Sequence, residues 1–205
     1  MSITREFLRR PLTTGAVAAS SRRLARAMTD GIGLDDARVV VELGPGTGAF
    51  TGAILSRLAP GARLVAVELN PVLAARLADQ CRDDRLDVVR ASAADLAALV
   101  PDRVDAVVSG LPWTVMPQDR QCGILDAVTE VLAPAGRFTT FAYVHAAWTP
   151  PARRFAAALD RRFGTLERSA VVWPNLPPAF VHRARNPMRS PAQGSTQSPT
   201  RSPIS

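Results

Sequence analysis

Lysine is absent from this 205-residue sequence, so all 25 of its strongly basic residues are arginine. Cysteine and tyrosine are scarce. The two cysteines, Cys81 and Cys122, lack the spacing of metal ligands and are predicted to be reduced, buried thiols rather than a disulfide. No metal site is predicted. No apolar run approaches the ~20 residues of a membrane-spanning helix. The first residues also lack the pattern of a secretory signal, so a cytoplasmic location is expected.

The positive charge lies at the two ends of the chain. Residues 1–29 hold six arginines against one acid, and the tail from Asn186 holds two arginines and no acid. The residues between them are neutral overall, although the protein carries a formal charge of +7. This distribution favours an anionic surface partner, either lipid headgroups or RNA. The alternative is a coding bias that enriches arginine without function.

Residues 1–30 form a predicted amphipathic helical segment. Within it, the best helical pattern covers residues 17–28, where Val17, Leu24 and Met28 share one face. Such a helix could simply cap the core. It could instead lie peripherally on an anionic membrane, through residues 1–29, or cover a substrate pocket.

Apolar, β-branched runs alternate with helical patterns through residues 31–185, which predicts one α/β domain with a doubly wound, mostly parallel sheet. The last two strands are expected to form a closing antiparallel pair. Residues 186–205 are rich in serine and proline and are predicted to be disordered. The predicted strands cover residues 39–41, 63–69, 86–91, 104–109, 137–144, 165–173 and 179–184.

A glycine-rich turn follows the first predicted strand. Gly44, Gly46 and Gly48 remove side chains where the backbone bends sharply, which lets a ligand approach the free N–H groups of the next helix. Glu68 ends the second predicted strand, where an acid can accept both ribose hydroxyls of an adenosine ligand. The pattern predicts an adenosine nucleotide or nucleoside without distinguishing between them.

Glu42 lies just before this turn and favours one class of adenosine ligand. A dinucleotide carries a pyrophosphate, which a neighbouring carboxylate would repel. S-adenosylmethionine has no phosphate but carries an ammonium and a sulfonium, so a carboxylate at Glu42 suits its cationic end. The alternative is that Glu42 is a structural acid bonded to loop amides.

These segments carry a resemblance to a known family. The strings Glu42-Leu43-Gly44-Pro45-Gly46-Thr47-Gly48 and Val65-Ala66-Val67-Glu68-Leu69-Asn70 look like a class I S-adenosylmethionine-dependent methyltransferase. Two families share this wording, the ribosomal RNA adenine dimethyltransferases and the bacterial phospholipid N-methyltransferases. The resemblance covers roughly residues 7–184.

The resemblance implies S-adenosylmethionine as cofactor and a seven-stranded Rossmann-like sheet. Both families usually carry Gly-Asp-Ala after the third strand, whereas this chain has Ala91-Ser92-Ala93, so the serine hydroxyl replaces a stronger acceptor for the adenine amine. The cofactor contacts are placed at the carboxyl ends of the first four strands: Glu42, Gly44, Gly46, Gly48, Glu68, Leu69, Ser92, Ala93, Ser109 and Gly110.

The segment after the fourth strand separates the two families. The RNA enzymes carry Asn-Leu-Pro-Tyr, in which the amide accepts a hydrogen bond from the target amine and the ring stacks on a flipped base. Here the segment is Gly110-Leu111-Pro112-Trp113, which keeps an aromatic ring but lacks the amide. This segment and the later string Val172 to Ala179 resemble the phospholipid family instead.

Methyl transfer to an amine requires that the amine be neutral, so a proton must leave. Tyr143 and His145, at the end of the fifth strand, are the predicted proton acceptors or relays, and either could instead be structural. Trp113 could hold a methylated ammonium by cation–π attraction or could be a core residue.

The function predicted from the sequence is N-methylation of phosphatidylethanolamine-type phospholipids, or of another amine, by a monomer at a membrane surface. RNA adenine N6-methylation is the first alternative. A small-molecule methyltransferase and a non-catalytic adenosyl-ligand binding protein are the others.

Overall fold

The structure, a computed structural model, describes residues 21–100 and 103–188. Residues 1–20 and most of the predicted C-terminal tail lie outside the described residues, so the predictions made for them are not tested. The helices are α1 (Arg22–Thr29), α2 (Thr51–Leu55), α3 (Pro71–Gln80), α4 (Leu96–Leu99), α5 (Gln118–Val131) and α6 (Pro150–Asp160). The strands are β1 (Val39–Leu43), β2 (Arg63–Glu68), β3 (Leu86–Arg90), β4 (Val104–Ser109), β5 (Leu132–Tyr143), β6 (Phe163–Arg168) and β7 (Ala179–Pro187).

The seven described strands form one sheet in the order β3-β2-β1-β4-β5-β7-β6. The first five strands pair in parallel, and β7 runs antiparallel to both β5 and β6. The predicted doubly wound, mostly parallel sheet and its closing antiparallel pair are therefore confirmed. The strand order reverses direction between β1 and β4, which is where a ligand binds in such sheets.

Both faces of the sheet are covered by apolar cores. Successive residues of β1 belong to different cores, because side chains alternate across a strand: Val40 packs with α1 and α2, whereas Val41 packs with α4, α5 and α6. This burial on both faces explains why the central strands read as unbroken apolar runs.

Helix α1 packs against the body of the protein. Leu24 and Met28 are fully buried in the core on the α2 side of the sheet, and Ser21 caps the helix by accepting a hydrogen bond from the N–H of Leu24 (3.1 Å). The apolar face of this helix is therefore not available for insertion into a membrane, and only its arginines face outward. None of the helices in residues 21–100 and 103–188 is long and apolar enough to cross a membrane.

Two local predictions are wrong. Strand β5 begins at Leu132, before the predicted strand 137–144, and its pairing with β4 shifts register between Val104 and Ala106. Gly136 permits this irregularity, since a Cβ there would lie 2.8 Å from the carbonyl oxygen of Ala133. The two cysteines are free, as predicted, but they are half-buried rather than buried.

Candidate active site

The carboxyl ends of β3, β2, β1 and β4 bring the predicted cofactor residues to one edge of the sheet. Leu43 pairs with Val67 on one side and with Ser109 on the other, so the glycine turn lies between the ends of β2 and β4. The N–H of Gly44 donates to the carbonyl of Val67 (2.9 Å), and the N–H of Gly110 donates to the carbonyl of Leu43 (2.8 Å). These bonds fix the turn to its neighbours.

The glycines of the turn adopt backbone conformations that other residues rarely accept. Gly44, Gly46 and Gly48 have φ angles of 67°, 56° and 81°. A Cβ at Gly44 would lie 2.8 Å from the Leu111 side chain, whereas a Cβ at Gly46 would meet nothing within 4 Å. The turn is therefore packed on one side and open at its tip, where a ligand can approach the backbone.

Glu42 is fully buried beneath this turn. Its Oε2 atom accepts a hydrogen bond from the Thr51 hydroxyl (2.6 Å), while its Oε1 atom is buried without a hydrogen-bond partner. Burial is the main cause that raises the pKa of Glu42 to about 8, and the nearby Glu68 charge adds to it. A cationic ligand group would satisfy the free oxygen and bring this pKa down.

Glu68 supports the open tip of the turn. Its Oε2 atom accepts a hydrogen bond from the N–H of Gly46 (3.1 Å), and its Oε1 atom accepts one from the N–H of Asn70 (2.9 Å). An ionised carboxylate can accept about four hydrogen bonds, so two positions are left for ribose hydroxyls. The predicted ribose contact is thus compatible with a loop-bracing contact that the sequence did not indicate.

The remaining cofactor candidates border the same edge. Ser92 caps the short 3-10 helix Ala93–Asp95 by accepting a hydrogen bond from the N–H of Ala94 (3.2 Å), so part of its acceptor capacity is already used. Ala93 and Ser109 are buried, whereas Leu69 is exposed. Leu69 and Ser109 lie at the ends of β2 and β4, which flank β1, and Ser92 and Ala93 follow β3, the neighbour of β2.

A cavity of about 820 Å³ lies beside the glycine turn, with Gly110 in its lining. Residues after β4, after β5 and on α6, β6 and β7 line it, and their exposed surface is mainly apolar. No acidic side chain lies among these lining residues in the described part of the chain, but two arginines do, Arg153 and Arg168. The cavity therefore suits an apolar ligand with an anionic group.

Gly110 brings the cavity and the turn into direct contact. A Cβ at this position would lie 2.8 Å from the carbonyl oxygen of Gly44 and 3.5 Å from the Phe50 ring. Any side chain would therefore have to displace the glycine turn. The absence of an asparagine here, which the sequence showed as a departure, thus has a steric reason in this structure.

Comparison with known proteins identifies the family. Residues 40–136 match the family profile described as a methyltransferase domain. The chain is 36% identical over 138 residues to the ornithine lipid N-methyltransferase of Singulisphaera acidiphila, an alignment that covers 65% of this chain and 72% of that protein. The chain belongs to the class I S-adenosylmethionine-dependent methyltransferases.

Other relatives agree with this assignment. The chain is 42% identical over 94 residues to ribosomal RNA small subunit methyltransferase A of Rhodococcus opacus, but this match spans 42% of the chain and 30% of that protein. The fold is similar to the N-methyltransferase NodS of Bradyrhizobium japonicum, with a TM-score of 0.63 at 16% identity, covering 80% of this chain and 92% of that one. The O-methyltransferase of Bacillus cereus gives a TM-score of 0.64 at 13% identity, over 89% and 88% of the two chains.

The cofactor of this methyltransferase is S-adenosylmethionine, and the strand ends fit it. The Oε1 atom of Glu42 lacks a hydrogen-bond partner and can accept a hydrogen bond from the cationic amino group of the cofactor, and the backbone at Gly46 is open to an approaching ligand. Glu68 has acceptor positions left for the ribose. These individual contacts are proposals, and the sulfonium-bound methyl group is the chemistry that the cofactor supplies when bound.

Trp113 lines the cavity but is buried, so its ring is not openly exposed to a substrate. Its side chain is only 2% exposed and stacks on Phe155, with ring centroids 4.8 Å apart. Its ring nitrogen donates to the Thr140 hydroxyl (3.0 Å). These contacts are those of a core residue, and the predicted cation–π contact with substrate stays a prediction.

Tyr143 and His145 both line the cavity, as their place at the end of β5 suggested. Their rings stack with centroids 5.7 Å apart. Burial raises the pKa of Tyr143 above its ordinary value, so its hydroxyl stays protonated at neutral pH. It can still accept and donate hydrogen bonds, and His145 remains the proposed proton acceptor of the pair.

His182 is a cavity residue that the sequence analysis missed. It lies on β7, is 6% exposed, and contacts Phe180 edge to face. Its Nδ1 atom is buried without a hydrogen-bond partner. Burial, with the charge of Arg168, lowers the pKa of His182 to about 4, so the imidazole is neutral at physiological pH. A histidine inside a strand gives no local signal of a site, because only the cavity reveals what it faces.

This buried imidazole predicts a pH dependence of stability. The folded pKa is about 4 and the ordinary value is 6.5, so the unfolded chain binds a proton first as the pH falls. Above pH ~6.5 the ionisation of His182 does not affect the free energy of unfolding. As the pH falls toward ~4, it lowers the free energy of unfolding by up to about 3 kcal/mol. We expect His182→Phe to flatten this part of the curve of unfolding free energy against pH, measured by urea denaturation. An unchanged slope would contradict it, and exposed His145→Phe is the matched control.

Proposed function

We propose that this methyltransferase transfers a methyl group to the headgroup amine of a membrane lipid. The observation that carries the proposal is the acid-free, largely apolar cavity whose lining includes Gly110, Arg153 and Arg168. A lipid headgroup that combines a primary amine with an anionic group fits this lining: the arginines suit the anion, and the apolar wall suits the first part of an acyl chain.

Two lipids share this chemistry. Phosphatidylethanolamine carries the amine with a phosphate, as the sequence resemblance implied. An ornithine lipid carries an amine with a carboxylate, and the relative from Singulisphaera acidiphila is named for that substrate. Both groups are anionic, so either could pair with Arg153 or Arg168. We propose the shared headgroup chemistry and leave the two lipids as separate arms of the assay.

The residues of the cavity have defined tasks in this reaction. The amine must lose a proton before its lone pair can accept the methyl group, which the bound cofactor would supply from its sulfonium. Neutral His182 offers an unpartnered nitrogen as a hydrogen-bond acceptor for the amine. His145, which is exposed at the cavity lining, is the proposed group that passes the released proton to water.

The RNA alternative has less support from the geometry. An adenine N6 enzyme needs a side-chain acceptor for the target amine and an aromatic ring for the flipped base. Position 110 is glycine, and the ring of Trp113 is already stacked on Phe155 inside the core. The match to ribosomal RNA methyltransferases also spans only 30% of the Rhodococcus opacus protein.

One assay separates these functions. The protein is incubated with methyl-labelled S-adenosylmethionine and, in separate arms, vesicles containing phosphatidylethanolamine, vesicles containing an ornithine lipid, and total RNA. We expect label in at least one lipid arm and none in RNA. Label in RNA alone would overturn the lipid proposal, and label in no arm with cofactor binding intact would favour a small-molecule acceptor or a non-catalytic role. Glu42→Gln serves as the control for transfer that depends on this site.

A further inference from the structure

Exposed apolar side chains lie in the lining of the cavity and on a loop that contributes to it. Among the described residues, seven large apolar side chains are strongly exposed, and four of them lie on the loops after β4, after β5 and before β7. Val115 and Trp148 line the cavity itself, and Trp173 and Leu176 lie on the loop that contributes Pro177 to its lining. We call Val115, Trp148, Trp173 and Leu176 the apolar rim; these residues are between 53% and 82% exposed.

Hydrogen bonds hold the loops of the rim in place. The side chain of Asn175 is buried, accepts a hydrogen bond from the N–H of Ser21 (3.0 Å) and donates one to the carbonyl of Pro177 (2.7 Å). The N–H of Val144 donates to the carbonyl of Pro178 (2.9 Å), which ties the two loops together. Trp173 and Leu176 are therefore presented outward by a braced loop rather than left unpacked by a loose one.

The segments that carry Trp148, Trp173 and Leu176 contain charge of one sign only. Residues 138–159 and 168–188 contain no acid, and they supply Arg153 and Arg168 to the cavity. Residues 138–159 and 168–188 would therefore present arginines and no acid to an anionic surface that approaches the rim.

We infer that the apolar rim is a membrane-docking surface that seats the mouth of the cavity on an anionic bilayer. Tryptophan prefers the boundary between headgroups and acyl chains, and a group of exposed apolar residues with arginines beside it matches that environment. The inference rests on the proposed function, because a lipid acceptor must pass from the bilayer into the cavity. Docking at the mouth lets the headgroup enter while the acyl chains stay in the membrane.

The full-length protein is used for the test. Vesicles of phosphatidylethanolamine and phosphatidylglycerol are mixed with the wild type, with Trp173→Ser/Leu176→Ser and with Val72→Ser, and bound protein is measured by flotation. Val72 is the matched control, since it is 72% exposed on α3 and lies outside the cavity lining. We expect the double variant to bind at least ~10-fold less tightly and the control to bind normally. Both variants should keep cofactor affinity and activity on a monomeric short-chain lipid.

A second readout locates the surface directly. Brominated acyl chains should quench tryptophan emission of the wild type on vesicles, and quenching should be lost in Trp148→Phe/Trp173→Phe, in which only buried Trp113 remains. Unchanged flotation of the double serine variant would overturn the inference. Quenching that appears only after deletion of residues 1–20 would also overturn it, since that segment would then cover the rim. Flotation needs no turnover, so failure of the lipid substrate proposal can be told apart from failure of the docking surface.

Discussion

Replacement of Glu42 by glutamine is expected to lower the affinity for S-adenosylmethionine by about 10- to 100-fold, the range expected for a lost charge-assisted hydrogen bond. The variant keeps the shape of the side chain but cannot become an anion. The wild-type carboxyl has a pKa of about 8 without cofactor, so it must release a proton as a cationic group binds. Titration calorimetry at pH 7 in buffers of different ionisation enthalpy should show proton release in the wild type and a smaller release in the variant.

The same substitution changes the pH dependence of stability. The folded pKa of Glu42 is raised from 4.5 to about 8, so the unfolded chain releases its proton first as the pH rises. The unliganded wild type should therefore lose stability between pH ~4.5 and ~8, by about 3 kcal/mol at pH 7. Glu42→Gln should remove this loss. Unchanged cofactor affinity in the variant would show that Glu42 is only a structural acid.

Thr51→Val is the matched control for this prediction. It removes the hydroxyl that donates to Oε2 but keeps the carboxyl. The hydroxyl lowers the pKa of Glu42, so its loss should raise that pKa further and weaken cofactor binding at pH 7. Binding by this variant should recover at higher pH, whereas binding by Glu42→Gln should not.

Gly110→Asn is expected to abolish most methyltransferase activity rather than convert the protein into an RNA methyltransferase. The new Cβ would lie 2.8 Å from the carbonyl oxygen of Gly44, so the glycine turn, which we propose to hold the cofactor, must move. Such overpacking typically costs about 1–3 kcal/mol of stability. Because the displaced atoms belong to the active site, we expect a fall of about 100-fold in kcat/KM on the lipid acceptor.

A second glycine provides the control. Gly123 lies within α5, and a Cβ there would meet nothing within 4 Å. Gly123→Ala should therefore leave activity unchanged and raise stability by about 0.5–1 kcal/mol. Lipid activity retained by Gly110→Asn, or RNA methylation gained by it, would contradict the steric argument and revive the RNA alternative.

The fold and the cofactor side were predictable because their signals are local. The runs from Val39 to Val41 and from Val104 to Ser109 are too apolar and too β-branched to be anything but buried strands. The glycines after the first run are required by positive φ angles. Acids at the carboxyl ends of parallel strands lie at the same edge of the sheet, so Glu42 and Glu68 could be assigned to one site from the sequence alone.

The acceptor side depended on packing that no local pattern records. His182 lies in the middle of a strand, and its neutrality comes from burial against Phe180 and from the charge of Arg168. Trp113 follows the fourth strand in the position of a substrate-contacting ring, yet it is closed off by Phe155 from a distant helix. Burial is a property of residues that meet in space, so sequence spacing cannot decide it.

The sequence by itself determined the order of strands and helices, the glycine turn with its flanking acids and hence S-adenosylmethionine as the ligand, because each of these follows from residue type and spacing along the chain. Only the tertiary structure decided that α1 buries its apolar face, that Gly110 touches the turn, and that an acid-free cavity opens beside it. Those features arise where β4, β5 and β7 bring distant residues together, and their chemistry exists only once the chain has folded.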